Sequence, residues 1–180
     1  MITKENSCFL VIDYQSKLFP HIDQFHALEM NTLKLIEGMK ALDLPIIVTE
    51  QYPKGIGATI PSVQTALGDD YKPVEKMAFS CCGEDDFMRE LKKIGKRNVI
   101  VCGIEAHVCV LQTCQDLLEY GYQPVLIEDC VSSRKQNDKK VAVERMRHNG
   151  VVVTTYESIL FELCKVSGTS VFKEISRIVK

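Results

Sequence analysis

The chain has 180 residues, of which 46% are hydrophobic, 26% are charged and eight are cysteines. This length predicts one domain, residues 1–180, with a substantial core. The net charge of −2 gives no electrostatic reason to expect a nucleic-acid partner, and no apolar run approaches the roughly 20 residues that span a bilayer.

The amino-terminal residues enter an apolar run directly, without the apolar core of a secretory leader. Eight cysteines without such a leader indicate a reducing compartment and mostly free thiols. We therefore expect a cytoplasmic protein, with an organelle as the alternative.

Strand and helix patterns alternate along the chain about six times. Short apolar segments predict strands at residues 8–12, 44–48, 72–76, 98–102, 124–127 and 151–155. Apolar residues at helical spacing predict helices at residues 28–42, 85–94, 110–120, 137–148, 158–164 and 170–179. Residues 52–61 are rich in glycine and proline and are predicted to form a loop over a surface cleft.

This alternation predicts an α/β protein: a three-layer α/β/α sandwich around a sheet of about six mostly parallel strands. Ligands of such sheets bind at the carboxyl ends of the strands, near the point where strand order reverses. The polar residues at those ends are Asp13, Glu50, Gln51, Lys76 and the turn that carries Cys109. We therefore expect the functional site there.

Cys109 follows the fourth predicted strand, in the turn Gly103–Val110. A helix start offers unpaired backbone N–H groups and the positive end of the helix dipole, both of which favour a thiolate, the nucleophilic form of cysteine. The same N–H groups are suited to holding an oxyanion. This pattern indicates a nucleophile, although a buried structural cysteine is the alternative.

A thiol nucleophile needs a partner that accepts its proton. His107 is two residues away, which places it on the opposite side of a helix. Asp13 is therefore the candidate base, and Lys76 would keep it anionic and stabilise the thiolate. The alternatives are that Asp13 only caps a turn and that Lys76 is a solvated surface residue.

Metal and cofactor motifs are missing from the sequence. There is no Cys-x-x-Cys pair and no His-Glu-x-x-His pattern, so no metal site is predicted. Gly55-Ile-Gly57 lacks the third glycine of a dinucleotide fingerprint, and no phosphate-binding P-loop motif occurs. We expect no cofactor.

Three separated motifs resemble the isochorismatase-like cysteine hydrolase superfamily over essentially the whole chain: residues 11–15 around Asp13, residues 76–80 from Lys76, and residues 103–110 around Cys109. Segments 49–61, 129–134 and 172–175 resemble the subgroup of isochorismatase domain-containing proteins. The resemblance implies an Asp13–Lys76–Cys109 triad and a cis peptide between Ile104 and Glu105. It also implies oxyanion donors on the backbone of Glu105 and Cys109, and a homo-oligomer.

Two departures from sister families narrow the expected chemistry. Nicotinamidases carry an Asp-x-His metal motif where this chain has Thr49-Glu50-Gln51, so neither a metal nor nicotinamide is expected. True isochorismatases typically lack the nucleophilic cysteine that this chain keeps. The prediction is a hydrolase of a small-molecule amide or related compound; by position, its pocket residues are Gln15, Glu50, Gln51, Tyr52 and Phe79.

Two other functions remain open at this stage. One is a non-catalytic binding or scaffold protein on the same fold, which would have no need to keep Asp13, Lys76 and Cys109 together. The other is a thiol redox sensor, since a low pKa and solvent access also favour oxidation of Cys109.

Overall fold

The computed structural model describes residues 2–180, and Met1 lies outside the described residues. Six strands form one sheet in the order β3-β2-β1-β4-β5-β6, and every neighbouring pair is parallel. The strands are β1 Ser7–Ile12, β2 Ile46–Gln51, β3 Val74–Lys76, β4 Asn98–Ile104, β5 Gln123–Ser132 and β6 Val152–Thr154.

Eight α-helices are found in the described chain. They are α1 Phe25–Ala41, α2 Pro53–Ile56, α3 Pro61–Leu67, α4 Asp85–Ile94, α5 Leu111–Glu119, α6 Gln136–His148, α7 Tyr156–Cys164 and α8 Ser170–Val179. A π-helical turn, Ala106–Val110, precedes α5, and short 3₁₀ turns complete the connections. None of these helices is long and apolar enough to cross a membrane.

The helices cover both faces of the sheet, which confirms the predicted α/β/α sandwich. Alternate residues of β1 enter two separate clusters: Phe9 and Val11 join α1, α3, α7 and α8, while Leu10 and Ile12 join α4, α5 and α6. A strand that is buried on both faces needs apolar side chains at every position. That requirement explains the apolar run from Cys8 to Ile12 in β1.

The strand bounds differ from the predictions where polar residues remain in the ladder. Thr49, Glu50 and Gln51 were expected to follow the second strand, but they form its last half. β5 continues to Ser132 through an irregularity in its pairing with β4, whereas the apolar pattern stops at Ile127. The loop predicted at residues 52–61 contains α2 and leads into α3, which the sequence patterns did not reveal.

Candidate active site

A buried ion pair lies at the carboxyl ends of β1 and β3. Nζ of Lys76 is 2.7 Å from Oδ2 of Asp13, and both side chains are at most 2% exposed. Asp13 directly follows β1 with a positive φ of 53°, a conformation that aspartate tolerates better than most residues. The structure therefore brings together two of the three predicted residues.

Four acceptor atoms surround Nζ of Lys76, which has three protons to donate. Nζ donates to Oε1 of Gln51 at 2.7 Å and to the carbonyls of Phe79 and Ala78 at 2.9 and 3.2 Å. Its 2.7 Å contact with Oδ2 of Asp13 is an ion pair, and the thiol of Cys109 is a further donor to this carboxylate. The carboxylate is therefore placed to accept the proton of the thiol.

Cys109 is the third member of this cluster. Its thiol interacts with the carboxylate of Asp13 and with the ammonium group of Lys76. Burial raises the pKa of the Cys109 thiol to about 12; the charge of Asp13 adds to this rise and that of Lys76 opposes it. Desolvation and the adjacent carboxylate thus act against the thiolate that the position at a helix start favours.

The ionisation of the pair suits a base beside a neutral thiol. Burial raises the pKa of the Asp13 carboxyl above its ordinary value, while Lys76 and the hydroxyl of Thr49 oppose that rise. Burial lowers the pKa of Lys76, but the contact with Asp13 and the neighbouring Cys81 and Cys109 together outweigh it, and the net shift is upward. Lys76 therefore stays protonated, and Asp13 is a stronger base than an exposed aspartate.

The turn that carries Cys109 begins where β4 passes close to β1. A Cβ built on Gly103 would lie 2.5 Å from the carbonyl oxygen of Ile12, so glycine is required at this position. The peptide bond between Ile104 and Glu105 is cis, and the π-helical turn follows it. Cys109 therefore lies in this turn rather than in regular α-helix.

Thr49 and Cys81 are two buried neighbours that sequence reasoning missed. Oγ1 of Thr49 donates to Oδ1 of Asp13 at 2.8 Å, and Sγ of Cys81 lies 3.8 Å from the same hydroxyl. Neither residue belongs to a recognisable catalytic motif. The only available signal was the position of Thr49 near the end of a predicted strand.

The residues predicted to line a pocket divide into two groups. Gln15, Glu50 and Gln51 are buried and bonded within the protein, whereas Tyr52 and Phe79 are 47% and 55% exposed. The Glu50 carboxylate accepts hydrogen bonds from Thr59 and Tyr71 at 2.7 Å and so fastens the 52–61 segment.

The buried glutamines connect this segment to the ion pair. The Gln15 side chain bonds both to the backbone N–H of Gln51 at 2.7 Å and to its carbonyl at 2.9 Å. Gln51 in turn accepts from Lys76 and donates to the carbonyl of Met77. These two residues hold the ion pair in place, and only Tyr52 and Phe79 present substantial surface to solvent.

His107 does not serve Cys109, as its sequence position predicted. Its Nδ1 lies 2.9 Å from Oγ of Ser133, and its Nε2 lies 4.0 Å from the carboxylate of Asp138. Within residues 2–180, no cluster of three or more His, Cys, Asp or Glu side chains is arranged to hold a metal ion.

A surface cavity of about 750 Å³ lies between α1, β5 and α6, and a second of about 740 Å³ lies between α1 and α3. The lining of neither cavity includes Asp13, Lys76 or Cys109. The ion pair and the thiol therefore lie away from both cavities, buried at the ends of β1, β3 and β4.

Comparison with known proteins identifies the relatives of this chain. The family model of the isochorismatase domain matches residues 7–158. Isochorismatase family protein 1B of Dictyostelium discoideum is 38% identical over 183 residues, an alignment that covers 99% of this chain and 88% of that protein.

Solved structures show the same architecture. The MAR1 ribonuclease from Caenorhabditis elegans superposes with a TM-score of 0.92 at 39% identity, covering 99% of this chain and 91% of that one. The YcaC gene product of Escherichia coli, an octameric hydrolase of unknown specificity, superposes with a TM-score of 0.87 over 92% of this chain and 82% of its own. Its identity of 22% carries the likeness of fold alone.

Proposed function

Because the chain belongs to the isochorismatase family, we propose that it is a cysteine hydrolase of a small-molecule amide or related compound. Asp13, Lys76 and Cys109 are its catalytic residues. The observation that carries this proposal is the ion pair of 2.7 Å, buried against the thiol. A buried ion pair contributes little to net stability, so its place beside a thiol favours a chemical role.

The first half of the proposed reaction forms a thioester. Sγ of Cys109 attacks the carbonyl carbon while its proton passes to Asp13, so no standing thiolate is required. The backbone N–H groups of Glu105 and Cys109 hold the resulting oxyanion. The tetrahedral intermediate then collapses, and Asp13 returns the proton to the leaving amine.

The second half releases the acid. Water attacks the thioester carbon, Asp13 accepts a proton from the water, and the thiol leaves with the bonding electrons and is protonated again. Lys76 stays positively charged, and its charge stabilises the negative charge whether this is on Asp13 or on the sulfur. The exposed side chains of Tyr52 and Phe79 are proposed to contact the substrate.

The pKa of Cys109 weighs against the redox-sensor alternative. A thiol raised to about 12 holds very little thiolate at neutral pH, and the thiolate is the form that oxidants attack. A binding protein without chemistry would leave the buried pair of Asp13 and Lys76 without a purpose, because apolar side chains would fill that space at no loss of stability.

The test is a measurement of cysteine alkylation by a limiting amount of iodoacetamide, read by peptide mass spectrometry. Cys164 is only partly buried, while the other seven cysteines are buried, so it serves as an internal reference. In Asp13→Asn, the pH profile of Cys109 alkylation is expected to change, because the substitution removes both the proposed base and the charge that raises the pKa of the thiol, with Cys164 unchanged. A rate of Cys109 alkylation that is the same in Asp13→Asn as in wild type at every pH would contradict the triad.

A screen of small amides then seeks the substrate. Release of ammonia or amine by the wild-type protein, and its loss in Cys109→Ala, is the expected result. Trapping of an acyl group on Cys109 after an acid quench would identify the thioester directly. Turnover that survives in Cys109→Ala would exclude the proposed nucleophile.

RNA belongs in the same screen, since the relative from Caenorhabditis elegans is called a ribonuclease. Nucleic-acid binding usually depends on a basic surface, and this chain has a net charge of −2. We expect no cleavage of RNA by the wild-type protein. Cleavage that disappears in Cys109→Ala would replace the amide with a phosphodiester as the substrate.

We also propose that the protein is cytoplasmic and forms a homo-oligomer. The location is inferred from the eight cysteines, all of which are free. The oligomer is inferred from the family resemblance, and the Escherichia coli protein of the same fold is octameric.

A further inference from the structure

The turn that carries Cys109 is fastened to the end of β5 by three consecutive residues. Ser132 pairs with Ile104 in the sheet, and Oγ of Ser133 lies 2.9 Å from Nδ1 of His107. The third residue, Arg134, donates to the carboxylate of Glu105 from its backbone N–H at 3.0 Å and from Nε at 3.1 Å.

The β5 end is itself anchored to the rest of the protein. Oγ of Ser132 donates to the carbonyl of Asp23 at 2.9 Å, and the Asp23 N–H donates to the carbonyl of Ser133 at 3.0 Å. The hydroxyl of the fully buried Tyr14 donates to the carbonyl of Cys130 at 2.6 Å. A turn bound to this segment therefore has a rigid support.

The Glu105–Arg134 pair is asymmetric in its exposure. The Glu105 side chain is 7% exposed, whereas the side chain of Arg134 is 59% exposed. The carboxylate therefore lies inside the protein, on the residue whose N–H is the proposed oxyanion donor. An unpaired negative charge at this place would repel an oxyanion, and the repulsion is strong where water is excluded.

We propose that Arg134 is a positioning residue for acyl transfer, an inference that rests on the proposed function. Its side chain acts through Glu105: Nε–H helps to fix the turn, and its charge cancels that of the carboxylate beside the developing oxyanion, while the backbone N–H is kept in any variant at this position. Arg134 does not touch the triad in this role. Its loss is therefore expected to affect reactions of Cys109 that form an oxyanion and to spare those that do not.

Two reagents separate these cases on the same thiol. With p-nitrophenyl acetate, Sγ of Cys109 bonds to the acetyl carbon through an oxyanion, p-nitrophenolate leaves with the bonding electrons, and Asp13 takes the thiol proton. With iodoacetamide, the sulfur displaces iodide from a saturated carbon, and no oxyanion forms at the carbonyl. The ratio of the two rates at Cys109, read by mass spectrometry, reports the oxyanion site alone.

In Arg134→Met the rate of acylation is expected to fall by about tenfold or more, with alkylation within about twofold of wild type. Arg134→Lys keeps the charge but loses the Nε–H donor, and its acylation rate is expected to fall between those of wild type and Arg134→Met. Glu105→Gln introduced into Arg134→Met removes the uncompensated charge and should restore part of the acylation rate. Arg147→Met is the control, because Arg147 is similarly exposed and pairs with Glu128 on the surface.

Three outcomes overturn the proposal. Acylation in Arg134→Met that equals wild type shows that the arginine is dispensable. An equal fall in both rates, without rescue by Glu105→Gln, assigns Arg134 to general folding. A wild-type protein in which Cys109 is alkylated but never acylated contradicts the proposed function, and with it the role of Arg134. The first two outcomes, by contrast, contradict the role of Arg134 alone.

Discussion

At the scale of single residues, the two oxygens of Asp13 have different tasks. Oδ1 accepts from Thr49 at 2.8 Å, while Oδ2 forms the ion pair with Lys76 at 2.7 Å. Nζ of Lys76 donates hydrogen bonds to Gln51 and to two backbone carbonyls. Asp13 is therefore fixed by one oxygen and keeps the other as a base.

Thr49→Val tests this division of tasks. The hydroxyl of Thr49 lowers the pKa of Asp13, so its loss is expected to raise that pKa further. Because the carboxylate is the active form, alkylation of Cys109 is lost as the pH falls through this pKa, and the acid limb moves to higher pH in the variant. Rates measured against pH check this shift; Thr49→Ser keeps the hydroxyl and should retain the wild-type limb.

Lys76→Met tests the energy of the pair. It leaves the Asp13 carboxylate buried without its partner, which is expected to lower the free energy of unfolding by about 3–5 kcal/mol. Urea denaturation measures the loss. Asp13→Asn combined with Lys76→Met should be less destabilised than the sum of the single variants, and Lys72→Met, at an exposed site, should be nearly neutral. Additive losses would contradict coupling between the two charges.

At the scale of elements, the contact between β1 and β4 sets the distance from Asp13 to Cys109. Ile12 pairs with Gly103 in this register. Ile12 directly precedes Asp13, and Gly103 begins the turn that carries Cys109. Gly103 has a φ of 148° and allows the strands to approach closely. A side chain at this position would separate the base from the thiol.

Gly103→Ala is expected to lower the free energy of unfolding by about 2–4 kcal/mol, from overpacking and backbone strain together. It should also slow alkylation of Cys109. Gly121→Ala is the matched control: Gly121 has a φ of 82°, but nothing lies within 4 Å of its added Cβ. Its cost is expected to be about 1–2 kcal/mol, from conformation alone. Equal losses would show that the strands do not depend on close approach.

The carboxy-terminal helix α8 packs its apolar face against the rest of the domain. The spacing of Phe172, Ile175, Ile178 and Val179 places apolar side chains on one face of this helix. Ile175 and Ile178 are buried in the cluster around α1, and Phe172 lies against Phe161 of α7. The helix therefore docks within the chain.

At the scale of the whole molecule, the strand order collects residues that are far apart in sequence. β1 and β4 are central neighbours, and the chain leaves them toward opposite edges of the sheet. Such a reversal opens a crevice at the carboxyl ends of the strands. Asp13, Lys76 and Cys109 meet beside that point, although 63 residues separate the first two and 33 the last two.

The proposed oligomer is tested by sedimentation equilibrium. A single chain has a mass of 20.3 kDa. A mass that is an integer multiple of this value, and that stays constant on dilution through the micromolar range, is the expected result. A mass of one chain at all concentrations would contradict the proposal.

The sequence by itself determined the class of fold, because runs that are buried on both faces and helices at a 3.6-residue spacing leave a local pattern. It also located Asp13, Lys76 and Cys109, since each follows or ends a strand within a motif of the family. Contacts between distant segments leave no such pattern, so Thr49 under Asp13 and Arg134 on Glu105 emerged only in three dimensions. The tertiary structure alone also decided the pKa of the Cys109 thiol. That pKa depends on burial and on the neighbouring carboxylate, and neither can be inferred from the local sequence at a helix start.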